Sequence, residues 1–161
     1  MSGDKADRGV PTRADYVHWR TITTRWRDDD AYGHLNNATY YEFFDTAVNA
    51  YLFEATGTNI RALDRIGVVA ETSCRYLREI GFPEPVDVGL VVDKVGTSSI
   101  VYRIGLFQGP GEEAAAEGRF VHVYVDNTDP ARPVTPMPDA IRDAVSELLV
   151  SPGDSVPPGG P

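Results

Sequence analysis

Three adjacent aspartates, a histidine and two asparagines lie in one polar segment of the chain, RDDDAYGHLNN, at residues 27–37. Carboxylates can act as nucleophiles or general bases, and histidine can hold or transfer a proton. An acidic loop that leads into a helix places a carboxylate beside free backbone N–H groups, which bind anions and developing oxyanions. The segment therefore favours hydrolysis of an activated ester, which needs neither a metal ion nor a serine triad.

Two other interpretations of this segment compete with catalysis. In a calcium loop starting at Asp28, the first, third and sixth positions fit as Asp28, Asp30 and Gly33, but Tyr32 and Thr39 occupy the fifth and twelfth positions, where oxygen ligands are needed. Three adjacent aspartates are also typical of a solvated acidic turn, here capped by an asparagine. The residues alone leave this turn open as the alternative to a catalytic site.

The chain holds no other recognisable catalytic or ligand-binding motif. The histidines, His18, His34 and His122, have no spacing that suits zinc, and Cys74 is the single cysteine. The nucleophile elbow GxSxG, the Walker A loop and GxGxxG are all missing from the sequence. The sequence therefore predicts no metal site and no cofactor.

The elements expected around the segment are one early helix and several strands. Asn36 is a good N-cap and Gly57 a good stop, so the spacing predicts a helix from about Asn37 to Thr56, with Tyr40, Phe44, Ala47 and Tyr51 on its buried stripe. Strands are predicted at residues 16–26, at 67–78, from Val86, at 100–107 and at 119–125, and a last helix at 138–150. Short turns join the late strands, which predicts an antiparallel sheet that wraps the early helix.

Composition and charge limit the classes of partner. The formal net charge of −9 disfavours binding to nucleic acids, and no stretch has the length of about 18 apolar residues that suggests a membrane span. We expect a cytoplasmic protein with one domain at residues 15–150 and flexible tails at 1–14 and 151–161, both weak in hydrophobic residues. Cys74 is expected to be a packed side chain, and His122, opposite the Val121, Val123 and Val125 face, a surface or interface residue.

The stretch RWRDDDAYGHLNNATYYEFFD resembles the signature of the 4-hydroxybenzoyl-CoA thioesterase-like family of hotdog-fold acyl-CoA thioesterases. The resemblance covers nearly all of residues 16–150. It implies an α+β hotdog fold, in which a five-stranded antiparallel sheet wraps a long central helix, and hydrolysis of an acyl-CoA to the free acid and CoA. Coenzyme A is then part of the substrate. Family members pair their sheets edge to edge, so we expect a homodimer or homotetramer.

The resemblance also implies roles for individual residues. Asp30, three residues before the motif glycine, matches the catalytic carboxylate, while Asp28 matches a structural aspartate. The backbone N–H that polarises the thioester carbonyl belongs by position to Asn37 or its neighbours. His34 is expected to hold water, to orient Asp30 or to bond the loop backbone. The GHLNN sequence differs from the benzoyl branch, so the benzoyl substrate is not implied.

Further residues are candidates for substrate binding. Tyr41 is a candidate pocket residue. Arg75 and Arg119, together with Lys94 and Arg103, are candidates for the coenzyme A phosphates, although their residue types favour a solvated surface position for each. Two other functions stay open: a hotdog hydratase or dehydratase, and a non-catalytic acyl-CoA sensor.

Overall fold

The computed structural model describes residues 9–150. One antiparallel sheet has five strands in the order β1-β3-β4-β5-β2, with β1 at His18–Ile22, β2 at Arg65–Tyr76, β3 at Val86–Val95, β4 at Ser99–Phe107 and β5 at Ala116–Asp126. Helix α1 spans Asn37–Thr56 and helix α2 spans Asp139–Ser146. This is the α+β hotdog arrangement predicted from the sequence.

Helix α1 begins and ends at the predicted residues because its caps are strong. The side chain of Asn36 accepts a hydrogen bond from the backbone N–H of Ala38 at 3.0 Å. Gly57 takes a left-handed conformation with φ 63°, and its N–H donates to the carbonyl of Phe53 at 3.1 Å. The predicted buried stripe is confirmed, with every member at most 6% exposed: Tyr40, Phe44, Ala47 and Tyr51.

The helix lies close to the sheet at Gly118 in β5. A Cβ atom at Gly118 would come within 2.5 Å of the Phe44 ring, so only glycine leaves room for that ring. Phe44 is fully buried and fills the middle of the core between helix and sheet. The distance between α1 and the sheet therefore depends on this pair.

The outer face of the sheet carries a second, smaller core around Tyr16. Gly89 of β3 and Gly105 of β4 are directly paired, and the Tyr16 ring lies over both. A Cβ atom would come within 2.7 Å of Tyr16 at Gly89 and within 2.5 Å at Gly105. The two glycines thus form a slot for one aromatic ring.

Two of the predicted strands differ from the structure by three or more residues at one end, and helix α2 ends at Ser146 rather than at Val150. Strand β1 ends at Ile22 rather than at Trp26. The chain then turns away from β3, and the Thr24 hydroxyl donates to the carbonyl of Glu84 at 3.1 Å. Strand β5 starts three residues earlier than predicted, at Ala116, where it pairs with Tyr76 at the end of β2.

The expected surface position of His122 is wrong. Its side chain is 3% exposed and packs against the rings of Tyr102, Phe120 and Tyr124. Both faces of β5 carry apolar side chains, so alternation alone does not tell which face points to the core. The aromatic face is the one that packs inward.

The predicted N-terminal tail is in part attached to the sheet. Thr12 forms a bridge with Glu113, and the Arg13 guanidinium donates to the carbonyls of Gly109 and Gly111 and pairs with Asp87 at 3.0 Å. The remainder of that tail, residues 1–8, and the predicted tail 151–161 lie outside the described residues.

Candidate active site

The first aspartate of the polar segment is a structural residue. Asp28 is 2% exposed, and its carboxylate accepts hydrogen bonds from the backbone N–H and the guanidinium of Arg25 at 2.8 Å each. Burial alone would raise the pKa of Asp28, but the hydrogen bonds from Arg25 outweigh it and hold the pKa below its ordinary value. Its backbone carbonyl accepts from the N–H of Asn36 at 2.7 Å, which ties the loop to the start of α1.

The second aspartate holds a neighbouring loop in place. The carboxylate oxygens of Asp29 accept from the backbone N–H of Phe82 at 3.1 and 3.3 Å. The two loops can come this close because residue 81 is a glycine. A Cβ atom at Gly81 would come within 2.9 Å of the carbonyl of Gly33. Asp29 therefore joins the polar segment to the connection between β2 and β3.

The third aspartate keeps one oxygen open. Oδ1 of Asp30 accepts from the backbone N–H of Tyr32 at 2.8 Å and of His34 at 3.2 Å, which closes a tight turn around Gly33, whose φ is 78°. Oδ2 of Asp30 has no hydrogen-bond donor among residues 9–150. Of the three aspartates, Asp30 is thus the one whose carboxylate is oriented by the loop and still available for chemistry.

Helix α1 offers a free donor beside this carboxylate. In its first turn, the N–H of Ala38 donates to the Asn36 side chain, and the N–H of Thr39 donates to the Asn36 carbonyl at 2.9 Å. The N–H of Asn37 finds no acceptor in the part of the chain that the structure describes. It is therefore a donor at the positive end of the helix dipole that an anionic oxygen could use.

Asp30, His34 and Asn37 line one open cleft of about 390 Å³. The cleft lies between the polar segment, the first turn of α1 and the end of β2. Its remaining lining residues are Leu35, Tyr40, Tyr76, Leu77, Arg78 and Glu79. The structure thus brings together the three residues predicted to be catalytic.

His34 does not orient Asp30 with its ring. Its Nε2 atom lies 3.1 Å from a carboxylate oxygen of Glu79, while only its backbone contacts Asp30: the His34 N–H donates to Oδ1, and the His34 carbonyl accepts from the Asp30 N–H at 2.8 Å. Glu79 is 76% exposed along its side chain, so this is a solvated pair at the rim of the cleft. The contact between the His34 ring and Glu79 is not among the roles predicted for His34.

The substrate-binding candidates lie elsewhere. Tyr41 packs edge-on against Phe44, with ring centroids 5.8 Å apart, and is not among the residues that line the cleft. Arg75 pairs with Glu117, and Arg119 pairs with Glu71. Both arginines line a separate hollow of about 230 Å³ with Arg103, so the structure does not bring them to Asp30.

Two residues of the cleft, Tyr76 and Arg78, were not predicted from the sequence as site residues. The Tyr76 hydroxyl donates to the side-chain oxygen of Asn37, and its ring lies edge-on to Tyr40 at 4.9 Å. Burial raises the pKa of Tyr40 to about 12, so it stays a neutral phenol. Arg78 is the other missed residue, and its guanidinium donates to the carbonyl of Gln108 at 3.1 Å. Both lie at the end of the strand predicted at 67–78, and only the meeting of β2 with α1 shows that they line the cleft.

Cys74 is a neighbour of the cleft rather than a nucleophile in it. Burial raises the pKa of its thiol to about 11, so the reactive thiolate is rare at neutral pH. The expectation of a packed thiol agrees with its contact with the main core.

The geometry of the cleft suits one kind of chemistry. An open carboxylate oxygen can attack a carbonyl or take a proton from water, and the N–H of Asn37 can stabilise the oxyanion that forms. Within residues 9–150, no group of three or more His, Cys, Asp or Glu side chains is placed to hold a metal ion. In the same range, neither helix has the length and hydropathy to cross a bilayer.

Comparison with known proteins finds a matching family and proteins of the same fold. A family model, described as the thioesterase-like superfamily, matches residues 24–145. The PA5185 protein from Pseudomonas aeruginosa is 44% identical, with a TM-score of 0.83 over 88% of this chain and 97% of that one. PA2801 from the same organism, provisionally described as a thioesterase, is 32% identical, with a TM-score of 0.72 over 81% of this chain and 98% of that one.

More distant relatives share the fold or only part of the sequence. The 1,4-dihydroxy-2-naphthoyl-CoA thioesterase from Synechocystis has a TM-score of 0.73 at 13% identity, over 81% of this chain and 96% of that one. Protein YsmA of Bacillus subtilis is 25% identical over 88 residues, which are 55% of this chain. The match spans only 59% of the length of that curated relative.

Proposed function

The chain belongs to the thioesterase-like superfamily, and from this premise we propose that it hydrolyses an acyl-CoA thioester to a free acid and CoA. One observation carries the proposal: with residues 9–150 considered, Asp30 alone of the three aspartates has an open oxygen, and it shares its cleft with the unpaired N–H of Asn37. A thioester is an activated acyl group, so a carboxylate and an oxyanion donor are sufficient for its hydrolysis.

In the proposed reaction, the thioester carbonyl lies between Asp30 and the start of α1. Asp30 attacks the carbonyl carbon, or it removes a proton from the water that does so; both uses need the same open oxygen. The N–H of Asn37 donates to the carbonyl oxygen as negative charge develops there. The C–S bond then breaks, and the thiolate of CoA leaves and takes up a proton.

The Asn37 side chain has a fixed orientation in this proposal. Because Tyr76 donates to its oxygen, the amide NH₂ of Asn37 is left as a further donor at the cleft. Arg78 gives the cleft a guanidinium that can meet a phosphate of coenzyme A. The roles of Tyr41, Arg75 and Arg119 in binding the rest of the substrate stay predictions.

The free edge of β2 supports the proposal of a homodimer or homotetramer. Strand β2 has twelve residues and pairs with β5 on one side only, and much of it is exposed. An edge of this length is normally covered. The cleft lies at the end of this strand, so a second copy paired along it would lie beside the cleft. A cytoplasmic location is part of the same proposal, and a single cysteine fits a reducing compartment.

A thiol-release assay against a panel of acyl-CoAs tests the proposed function. The panel contains short, long and aromatic acyl groups, because a protein of the same fold acts on 1,4-dihydroxy-2-naphthoyl-CoA. We expect release of CoA from at least one member and loss of that release in Asp30→Asn. Hydration of an enoyl-CoA without thiol release would instead show a hydratase, and binding without either reaction would show a sensor.

A further inference from the structure

A second cavity lies at the other end of α1 from the Asp30 cleft. Its volume is about 230 Å³, and it shares no lining residue with that cleft. The nearest α1 residues of the two sites are Tyr40 of the cleft and Asn49 of the cavity, which lie about 14 Å apart along the helix axis. The proposed thioesterase chemistry makes no use of this cavity.

The cavity has an apolar body. Its walls include Leu52 of α1, Ile141 of α2, and Ile60 and Leu63 from the segment before β2. Leu52 and Ile141 are each 1% exposed, so this part of the wall belongs to the main core. Such a lining selects a ligand with an aliphatic or aromatic body. The volume is below the range of about 300–1,000 Å³ that drug-sized ligands occupy, so the ligand is small.

Two arginines give the cavity a positive rim. Arg61 is exposed and lies over the Phe53 ring at 5.9 Å, and Arg65 donates to the carbonyl of Pro136 at 2.9 Å. Among residues 9–150, neither guanidinium lies within ion-pair distance of a carboxylate. Arg65 is the ladder partner of Asp126, so Arg61 is the guanidinium that is more available to an anionic group at the entrance.

A buried histidine supplies the second polar feature. His122 is 3% exposed, and its Nδ1 atom has no hydrogen-bond partner within residues 9–150. Nδ1 faces Gly67, another lining residue, where a Cβ atom would come within 3.1 Å of it. A buried polar atom without a partner is costly, and a ligand that bonds to it would remove that cost. Burial lowers the pKa of His122 to about 4, so its ring is uncharged at neutral pH.

From these three features we propose that the cavity is a separate binding site for a small amphipathic carboxylate. The apolar body of the ligand packs against Leu52 and Ile141, and its carboxylate meets Arg61 and Arg65. A polar group on the body, or a water molecule that it traps, bonds to Nδ1 of His122. No residue of this site lines the Asp30 cleft of the same chain, so the proposal goes beyond the proposed thioesterase reaction.

Hexanoate is a suitable probe, and the ring resonances of the three histidines report where it binds. We expect hexanoate to shift the His122 resonances in the wild type and equally in Asp30→Asn. In Arg61→Gln/Arg65→Gln the affinity should fall about tenfold, the effect of losing hydrogen bonds to a charged group. Arg78→Gln is the matched control, because it removes a guanidinium from the other cleft.

Two further measurements keep the test decisive. Hexanol has the same body without the charge, and it should bind about tenfold more weakly than hexanoate. Gly67→Ala places a methyl group against His122 and should weaken binding. If Gly67→Ala unfolds, His122→Phe is the second variant: it replaces the imidazole by an aromatic ring without nitrogens, and its affinity for hexanoate is measured by calorimetry. Shifts confined to His34, equal binding of hexanol, or no binding at all would overturn the proposal. None of these results bears on thiol release.

Discussion

Asp28, Asp29 and Asp30 are adjacent in the chain but have different surroundings. Asp28 is buried in an ion pair, Asp29 bonds to the backbone of another loop, and Asp30 closes its own turn with one oxygen and leaves the other open. The three residues can therefore be compared by the same substitution, aspartate to asparagine, which keeps the shape and removes the charge.

The first prediction concerns Asp30. In Asp30→Asn the side-chain oxygen can still accept from Tyr32 and His34, so the thermal midpoint should stay near that of the wild type. The group that attacks or activates water is lost, and kcat should fall by about 10²–10⁴. Thiol release and thermal unfolding are measured on the same preparation. A rate near that of the wild type in a folded Asp30→Asn protein would refute the proposed mechanism.

Asp28→Asn is the control for this prediction and should behave in the opposite way. It weakens buried hydrogen bonds to Arg25, at a cost of about 1–3 kcal/mol in the free energy of unfolding. Its kcat, measured below the temperature of unfolding, should change less than that of Asp30→Asn. If Asp28→Asn were folded but inactive while Asp30→Asn was active, the catalytic carboxylate would be two residues earlier.

The second prediction concerns His122 and pH. The folded pKa of about 4 is lower than the ordinary value of 6.5, so the unfolded chain binds more protons between these values. Stability contributed by the neutral ring is therefore complete above about pH 6.5 and is lost as the pH falls toward 4. The groups around the ring that titrate, Tyr102 and Tyr124, stay neutral throughout this range.

Urea unfolding at two pH values measures this effect. Between about pH 7.5 and about pH 5, His122 should account for a loss of about 2 kcal/mol in the free energy of unfolding. His122→Phe should remove most of this dependence. Burial also lowers the pKa of His18, so a smaller slope of the same sign should persist. An unchanged slope in His122→Phe would show that the pKa of His122 does not differ between the folded and unfolded chain, which would contradict the prediction.

At the scale of elements, the close approach of α1 to the sheet gives the third prediction. Gly118→Ala places a methyl group within 2.5 Å of the Phe44 ring, so the helix or the ring must shift. Overpacking of this kind costs about 1–3 kcal/mol. Gly111→Ala, at a glycine with nothing within 4 Å, is the control and should have little effect. Chemical denaturation measures both variants, and Phe44→Leu should restore part of the loss in Gly118→Ala.

The elements that could be predicted from the sequence are those with strong local signals. Helix α1 was predicted with its observed bounds because Asn36 and Gly57 cap it. Strand β1 was predicted too long, since residues 23–26 are rich in strand-forming types and the turn there depends on a contact with Glu84. The prediction that His122 of β5 lies at the surface was wrong, because both faces of this strand are apolar and only packing against α1 distinguishes them.

The residues of the candidate site also divide into those with a local sequence signal and those that only long-range contacts bring together. Asp30, His34 and Asn37 are close in the sequence and were found together in one cleft. Tyr76 and Arg78 are about forty residues away, and the pairing of β2 with β5, together with the position of α1, brings them there. Long-range contacts of this kind leave no local pattern, which is why the sequence did not reveal them.

At the scale of the whole molecule, the fourth prediction concerns assembly. We expect at least a dimer, whose mass would be twice the 17.6 kDa of the chain. Val69 lies on the free strand β2 and is 47% exposed, so Val69→Lys should oppose pairing along that edge. Light scattering after size exclusion should show a shift toward the monomer. Val134→Lys, at a valine 65% exposed outside the strands, is the control and should leave the mass unchanged.

A wild-type mass of one chain would refute the assembly, and an unchanged mass in Val69→Lys would refute β2 as the edge through which it forms. Because the cleft adjoins the end of β2, a shift to the monomer should also lower thiol release. Val134→Lys should retain the rate of the wild type.

The slot formed by Gly89 and Gly105 has a consequence for how this sequence can change during evolution. Tyr16 occupies the space that a side chain at either glycine would need. A substitution at one glycine is therefore acceptable only after Tyr16 has become smaller, and a smaller residue at position 16 leaves a gap that a larger residue in the slot can fill. We expect these three positions to vary together among homologues and the order of their substitutions to be constrained, although they are far apart in the chain.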